Sequence, residues 1–314
     1  MKKVIFIGGT SFSGSTFLDM TLANDPRGFS CGEVVAMFHP YRPHHISPQC
    51  GCGDRNCNLW QLVLKSGKRN LYKKLFELFP QIDFVVDSSK DPFWIEWQTK
   101  NLKNQNISIK NILIWKTPLE YAHSLNKRNR LENLESSWIT YHRLYFTLID
   151  NWNAIRYFDF TKDSSCLKSI CDFCQIPYFP GKEKYWEKTL HTLFGNTSAK
   201  IHLYSNNAKK LEEAKDELLK QHGATTRQLN DKLQTVYYES ASKGLEKALG
   251  DIESSNRYFS LTQTQLDSKN LHRGGQEEKN CEYNLSNLKY NKLTVLMKLI
   301  NYRYFKKVRK GGLI

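Results

Sequence analysis

No stretch of about 18 consecutive apolar residues occurs in this chain, so nothing in it reads as a membrane-spanning helix. A secretion signal is not expected either. Met1-Lys2-Lys3 is followed only by Val4 to Ile7 before a glycine-rich segment, which is too brief for a signal-peptide core. Zinc-finger spacing and RNA-binding signatures are also absent, and no nucleic-acid partner is expected. Low-complexity composition is lacking as well: with 40% hydrophobic and 13% aromatic residues the chain must fold around a core, in one large domain or two small ones across 314 residues. Acidic residues are the scarce charge. There are 31 Asp and Glu against 46 Lys and Arg, a net charge of +15, and such a surface attracts polyanions: nucleic acid, an anionic membrane face or a phosphorylated cofactor. These absences lead to the expectation of a cytoplasmic protein. Its eight cysteines, Cys31, Cys50, Cys52, Cys57, Cys166, Cys171, Cys174 and Cys281, are then expected to be reduced thiols.

What is present alternates between two periods. Val4-Ile5-Phe6-Ile7, bounded by Gly8-Gly9, is the continuous apolar run of a strand buried on both faces, and Phe17, Leu18 and Leu22 follow at helical spacing. Phe84 to Asp87 leads into a helix from Pro92, and Ile112 to Trp115 into a helix from Pro118 to about Lys127. Leu134, Trp138, Tyr141, Tyr145, Leu148 and Trp152 step by three or four, an apolar stripe on a long core-facing helix. A strand near Ala154 to Phe158, a helix around Ser165 to Cys174, and more charged helices over 209–222 and 228–249 complete the pattern. The fold class is α/β: a P-loop-like parallel sheet flanked by helices over residues 1–250, with a C-terminal extension over 251–314. Residues 251–289 read as a polar linker. Tyr290 to Lys310 reads as a basic amphipathic helix, suited to peripheral contact with a membrane or to packing back on the domain.

The segment Gly8 to Thr16 lies where a strand ends and a helix begins, where free backbone N–H groups and the helix dipole attract anions. Ser11, Ser13 and Gly14 allow close approach of a phosphate, and Ser15 and Thr16 add hydroxyl donors. A nucleoside triphosphatase loop requires Lys after the last glycine, and Ser15 stands there instead. That substitution disfavours a P-loop kinase or phosphotransferase and suits a single phosphate without a magnesium-bridged pair.

Together with Cys31-Gly32-Glu33 and residues 87–128, this pattern resembles the sulfotransferase family, most closely the branch of tyrosylprotein and bacterial carbohydrate enzymes. Ser13-Gly14-Ser15-Thr16 matches the core of the family's 5'-phosphosulfate loop, Cys31-Gly32-Glu33 its C-G-E segment, and Lys90-Asp91-Pro92-Phe93 its K-D-P-F segment. The resemblance implies Glu33 as catalytic base and Lys90 as the cation on the transferring group. It implies Lys116, Ser124 and Arg128 as holders of the 3'-phosphate, and 3'-phosphoadenosine 5'-phosphosulfate as cosubstrate, with no metal required. Tyr157 to Phe160 resembles the Y-E-D-L segment after the family's fourth strand. Gly195-Asn196 resembles the G-N of the carbohydrate branch, with Lys200 closing over the cofactor. Phe12 replaces the family's loop cation, and Lys90 is the natural substitute. The acceptor implied is a hydroxyl on a glycan or glycolipid, with tyrosine or a small phenol behind it. A nucleotide- or polyanion-binding module without chemistry is the remaining alternative class.

Two further clusters carry residue types suited to chemistry. Cys50, Cys52 and Cys57, with His39, His44 and His45 upstream, offer zinc-ligand types, but C-x-C-x4-C is not a standard knuckle, and the stretch reads as a loop near the acceptor cleft. The same three histidines, set among Pro40, Pro43 and Pro48, are the second choice for the base.

Overall fold

A computed structural model describes residues 1–204 apart from Lys127 and Asn129, together with Lys209, Glu212 and residues 257–271. The chain begins β1 (Lys3–Gly8), α1 (Ser15–Ala23), β2 (Gly28–Gly32), α2 (Val35–Phe38), α3 (Leu59–Ser66), α4 (Leu71–Leu78), β3 (Phe84–Asp87) and α5 (Pro92–Leu102). It continues β4 (Ser108–Trp115), α6 (Pro118–Asn126), α7 (Leu134–Leu148), β5 (Trp152–Arg156), α8 (Tyr157–Lys162), α9 (Ser164–Cys174), α10 (Thr197–Lys200) and α11 (Arg257–Ser268).

The strands form one sheet in the order β2-β3-β1-β4-β5, with every neighbouring pair parallel. Successive β1 side chains point to opposite faces, and both faces are covered. Val4 and Phe6 join a core with residues of α3 to α7, while Ile5 and Ile7 join one with α1, α8 and α9. This is the α/β architecture expected from the alternation of apolar runs and helical periods. β1 is the switch point, since β3 lies on one side of it and β4 on the other. Open parallel sheets bind ligands outside the carboxyl ends of such strands.

Local chemistry sets the helix starts. The Asp91 carboxylate accepts from the N–H groups of Phe93 (2.9 Å) and Trp94 (3.3 Å), with Pro92 in the first turn of α5. Asp163 accepts from Ser165 N–H and starts α9.

Three features differ from the sequence expectations. β2, with the sequence GFSCG, carries little strand signal and was not foreseen. The long helix stops at Leu148, because Ile149 is extended (φ −109°, ψ 119°), so Trp152 opens β5 instead of closing the helical stripe. Part of the expected polar linker is structured. α11 packs on α7, Leu266 is fully buried, and the carbonyl of Lys269 accepts from Ala154 N–H at 2.7 Å. The basic helix over 290–310 and all but two residues of the helices expected over 209–222 and 228–249 lie outside the described residues. Among the described residues no helix is long and apolar enough to cross a membrane.

A buried polar layer lies under the carboxyl end of β3. Asp87 accepts from Tyr72 Oη (2.6 Å), Trp94 Nε1 (2.9 Å) and Ser89 N–H (2.8 Å), and Asp19 of α1 accepts from Ser88 Oγ (2.6 Å). Burial pushes the Asp19 carboxyl up to about 7, against the opposing effect of the Ser88 and Ser30 hydroxyls. An unfolded Asp loses its proton near pH 4, whereas the folded one keeps it to about pH 7. The folded state therefore binds the extra proton in that window, and stability falls as pH rises through it. Asp19→Asn should raise the unfolding midpoint by an amount that grows from pH 5 to pH 8. A gain that is constant with pH would mean that Asp19 is ionised in the folded protein.

Candidate active site

The anion loop, Glu33, Lys90 and Lys116 lie at or just beyond the carboxyl ends of the parallel strands, with Ser124 in α6 and Arg128 just past it. The loop of residues 9–14 follows β1, Glu33 follows β2, Lys90 lies three residues past β3, and Lys116 follows β4 directly.

The loop turns into α1 at Gly14, whose φ of 100° is in the left-handed region. A Cβ there would lie 2.2 Å from the Tyr157 ring, so conformation and space both require glycine. α1 has no side-chain cap, which leaves its first N–H groups available to an anion. The buried hydroxyls of Thr10 and Ser13 also lack a protein partner. Uncapped amides beside unpaired hydroxyls fit a phosphate-bearing ligand. Ser11 is exposed, Ser15 is buried in the first turn of α1, and Thr16 Oγ1 accepts from Asn196 N–H at 3.0 Å.

Glu33 and Lys90 meet. Lys90 Nζ is 2.5 Å from Glu33 Oε1 and 3.2 Å from the Ser88 carbonyl, and the two side chains are 21% and 13% exposed for Glu33 and Lys90, so the pair is reachable but shielded. Glu33 is aimed by a distortion of β2. The β2–β3 register shifts between Ser30 and Gly32, and bulges of this kind re-aim side chains beside functional sites. Gly32 has φ 63°, and a Cβ on it would lie 1.9 Å from the Leu193 carbonyl oxygen. Glycine therefore admits the segment 191–196 against β2, with Glu33 N–H donating to Leu193 O (3.0 Å) and Leu193 N–H to Cys31 O (3.2 Å).

Lys90 and Phe12 both have φ above +60°, a left-handed conformation that costs an ordinary residue energy and concentrates at functional sites. The Tyr141 hydroxyl secures this region. It accepts from Gly9 N–H at 2.7 Å and donates to the Lys90 carbonyl at 2.6 Å, so the β1 loop and the turn after β3 are tied through α7. Burial pushes its phenol above the usual range, which keeps the donated proton in place. From the sequence Tyr141 was one member of an apolar stripe. The stripe is real, but helical periodicity says nothing about the polar tip of a tyrosine.

The three residues matched to a 3'-phosphate site also converge. Lys116 Nζ is 3.1 Å from Ser124 Oγ and 4.5 Å from the Tyr157 ring centroid, and Arg128 Nη1 donates to the Ser124 carbonyl at 2.6 Å. Trp138 Nε1 fixes the Lys116 carbonyl at 2.8 Å. Tyr157 thus lies against both Gly14 and Lys116 and joins the loop to this second cationic group. The Arg128 guanidinium stacks on Phe12 at 3.8 Å. Arg128 thus lies beside the loop position that lacks its own cation, and Lys90, expected to substitute for that cation, is in contact with Glu33. Lys200 ends α10, the helix that follows Asn196, and is half-buried.

Of the histidines considered as bases, His45 is buried, lies edge-on to Tyr41 and Phe194, and accepts from Tyr41 N–H at 3.4 Å. Burial, with the positive charges of His44 and Arg42, pulls it down to about 4. His44 is exposed, and His39 lies edge-on to Trp94. None of the three joins the cysteines. Cys50, Cys52 and Cys57 gather instead around His191, a residue the sequence reading did not single out.

No protein-family model and no curated protein matches this chain. Among solved structures it is similar to a sulfotransferase domain from the curacin biosynthetic pathway, at 16% identity and TM-score 0.47, over 64% of this chain and 82% of that one. It is also similar to the sulfotransferase domain of the Synechococcus PCC 7002 olefin synthase, at 18% identity and TM-score 0.44, over 81% of this chain and 96% of that one. At this level of similarity the chemistry must be argued from the chain's own residues.

Tyr141→Phe should cost about 1–3 kcal/mol, because it strands a backbone donor and acceptor in a shielded place. Denaturant unfolding measures the loss, and faster hydrogen exchange at the Gly9 amide localises it. Unchanged stability and unchanged exchange would show that the tie contributes nothing.

Proposed function

We propose that the protein transfers a sulfuryl group from 3'-phosphoadenosine 5'-phosphosulfate to a hydroxyl group, with Glu33 as general base. The Glu33–Lys90 pair carries this reading: an acid and a cation from two adjacent strand ends, in contact at 2.5 Å and tied to the anion loop through Tyr141. A module that only binds nucleotide needs the loop and the cations, but not a half-shielded carboxylate paired beside them. A magnesium-dependent phosphotransferase needs the loop lysine that Ser15 replaces.

In the proposed reaction the acceptor oxygen forms a bond to sulfur as the bond from sulfur to the bridging 5'-phosphate oxygen breaks. The acceptor proton passes to the Glu33 carboxylate, and adenosine 3',5'-bisphosphate leaves with the electron pair. Lys90 is paired with Glu33 before the substrate arrives. It turns toward the sulfuryl oxygens once they are bound, which frees the carboxylate for the acceptor hydroxyl and offsets the charge that develops in transfer. Backbone amides at the start of α1, with the hydroxyls of Ser13, Ser15 and Thr16, hold the 5'-phosphate. Lys116, Ser124 and Arg128 hold the 3'-phosphate, and Lys116 does so as a point charge without the bidentate fork of an arginine. The proposed acceptor is a glycan or glycolipid hydroxyl, followed by tyrosine or a small phenol. The proposed setting is the cytoplasm, with the basic C-terminal residues toward an anionic membrane face.

Transfer of labelled sulfate to a panel of glycans, glycolipids, peptides and phenols tests the activity. Glu33→Gln keeps the size of the side chain but cannot take the proton, so turnover should fall by roughly 10²–10⁴ with nucleotide affinity retained. Near-normal transfer by that variant would place the base elsewhere, and His45 would be the next residue to replace.

A further inference from the structure

The loop between α2 and α3 approaches the segment before α10 through three cysteines and one histidine. Cys50 Sγ lies 3.2 Å and Cys57 Sγ 3.7 Å from Nδ1 of His191, and one ligand atom from each of Cys50, Cys52, Cys57 and His191 lies within 4.8 Å of all the others. Tetrahedral zinc, with Zn–S near 2.3 Å and Zn–N near 2.0–2.1 Å, requires ligand atoms about 3.5–3.8 Å apart. The observed separations bracket that value, and small side-chain rotations close the widest one.

The surroundings hold these four residues in place independently of any ion. Gly51 N–H donates to the Thr192 carbonyl at 2.9 Å, and a Cβ on Gly51 would lie 2.7 Å from that same oxygen, so the two segments approach closely only because residue 51 is glycine. Gly53 N–H to Cys50 O and Cys57 N–H to Asp54 O turn the loop back on itself, which brings Cys57 to the other two cysteines. The His191 ring stacks on Phe29 with an interplanar angle of 5°, and its carbonyl accepts from Trp60 Nε1 at 2.7 Å. Thiolates and imidazole are the donors zinc prefers, and a closed set of four protein ligands defines a structural site, not a catalytic one.

We propose that Cys50, Cys52, Cys57 and His191 bind one structural zinc ion. The histidine lies 134 residues beyond Cys57, so local spacing in the sequence does not announce the site. The ion locks the segment 191–196, which bonds to Glu33 through Leu193 and to the anion loop through the Asn196–Thr16 contact, so it fixes the position of the proposed base without touching substrate. The inference rests on the cysteine and histidine geometry and stands whether or not the sulfuryl-transfer reading holds.

The test is metal content. The full-length chain, produced with added zinc under reducing conditions and dialysed against metal-free buffer, should retain about one zinc per chain by mass spectrometry, as tight structural sites do. Cys52→Ser and His191→Ala should lose most of it, whereas Cys166→Ser, whose thiol is buried in α9, should keep it. Negligible zinc in the wild type, with no uptake of cobalt(II) by the reduced chain, overturns the proposal, and so does full retention in both ligand variants. Should those variants fail to fold, cobalt(II) in the wild-type chain decides. Tetrahedral d–d bands with strong thiolate-to-cobalt charge transfer are expected, and a six-coordinate spectrum without thiolate bands overturns it.

Discussion

Every strand of the sheet runs in the same direction, and this one constraint gathers the site. Parallel neighbours need a crossover, so each strand must finish on the same edge before its chain turns away. The loop after β1, Glu33, Lys90, Lys116 and Tyr157 all emerge on that edge, although 148 positions separate Gly9 from Tyr157 in the numbering. Burial of both faces by the helices makes the edge rigid. Hydrogen bonds then tie its parts together through Tyr141, between Gly9 and Lys90, and Trp138, on Lys116, while the Tyr157 ring packs between Gly14 and Lys116.

The segment 191–196 does for the β2 side of the edge what α7 does for the centre. Within six residues it supplies His191 to the cysteine cluster, Leu193 to the backbone of Cys31 and Glu33, and Asn196 to Thr16 of the anion loop. Gly32 makes this possible, because any side chain there would collide with Leu193. The edge strand that looked too poor in strand-forming residues to be a strand is poor in them because another segment must lie directly against it.

Much of the architecture was legible where burial writes itself into consecutive residues. Residues 4–7 of β1, 84–86 of β3 and 112–115 of β4 are continuous apolar runs, and Pro92 and Pro118 mark the helices that follow β3 and β4. Trp152 was misread because its spacing from Leu148 fits one helical turn, while in the fold the helix has ended at Leu148 and Trp152 pairs with Asn111 of β4. In the site, Glu33, Lys90, Lys116, Ser124 and Arg128 could be picked out because they fall in short segments that resemble those of a known family, in the same order along the chain. The Tyr141 hydroxyl, the stacking of Arg128 on Phe12 and the approach of His191 to three cysteines are tertiary facts without local spacing. The nearer histidines, His39, His44 and His45, were the candidates that local spacing offered the cysteine-rich loop, and only the fold brings His191 to it.

On the proposed reading this edge binds a nucleotide bearing separate 5'- and 3'-phosphates, without magnesium. Calorimetric titration of the wild-type chain with adenosine 3',5'-bisphosphate, adenosine 5'-monophosphate and ATP, each with and without magnesium, tests it most directly. The account predicts that the bisphosphate binds at least tenfold, or about 1.4 kcal/mol, more tightly than the monophosphate and is indifferent to magnesium. Equal affinity for the two adenosine phosphates, or tightest binding of magnesium-ATP, would contradict it.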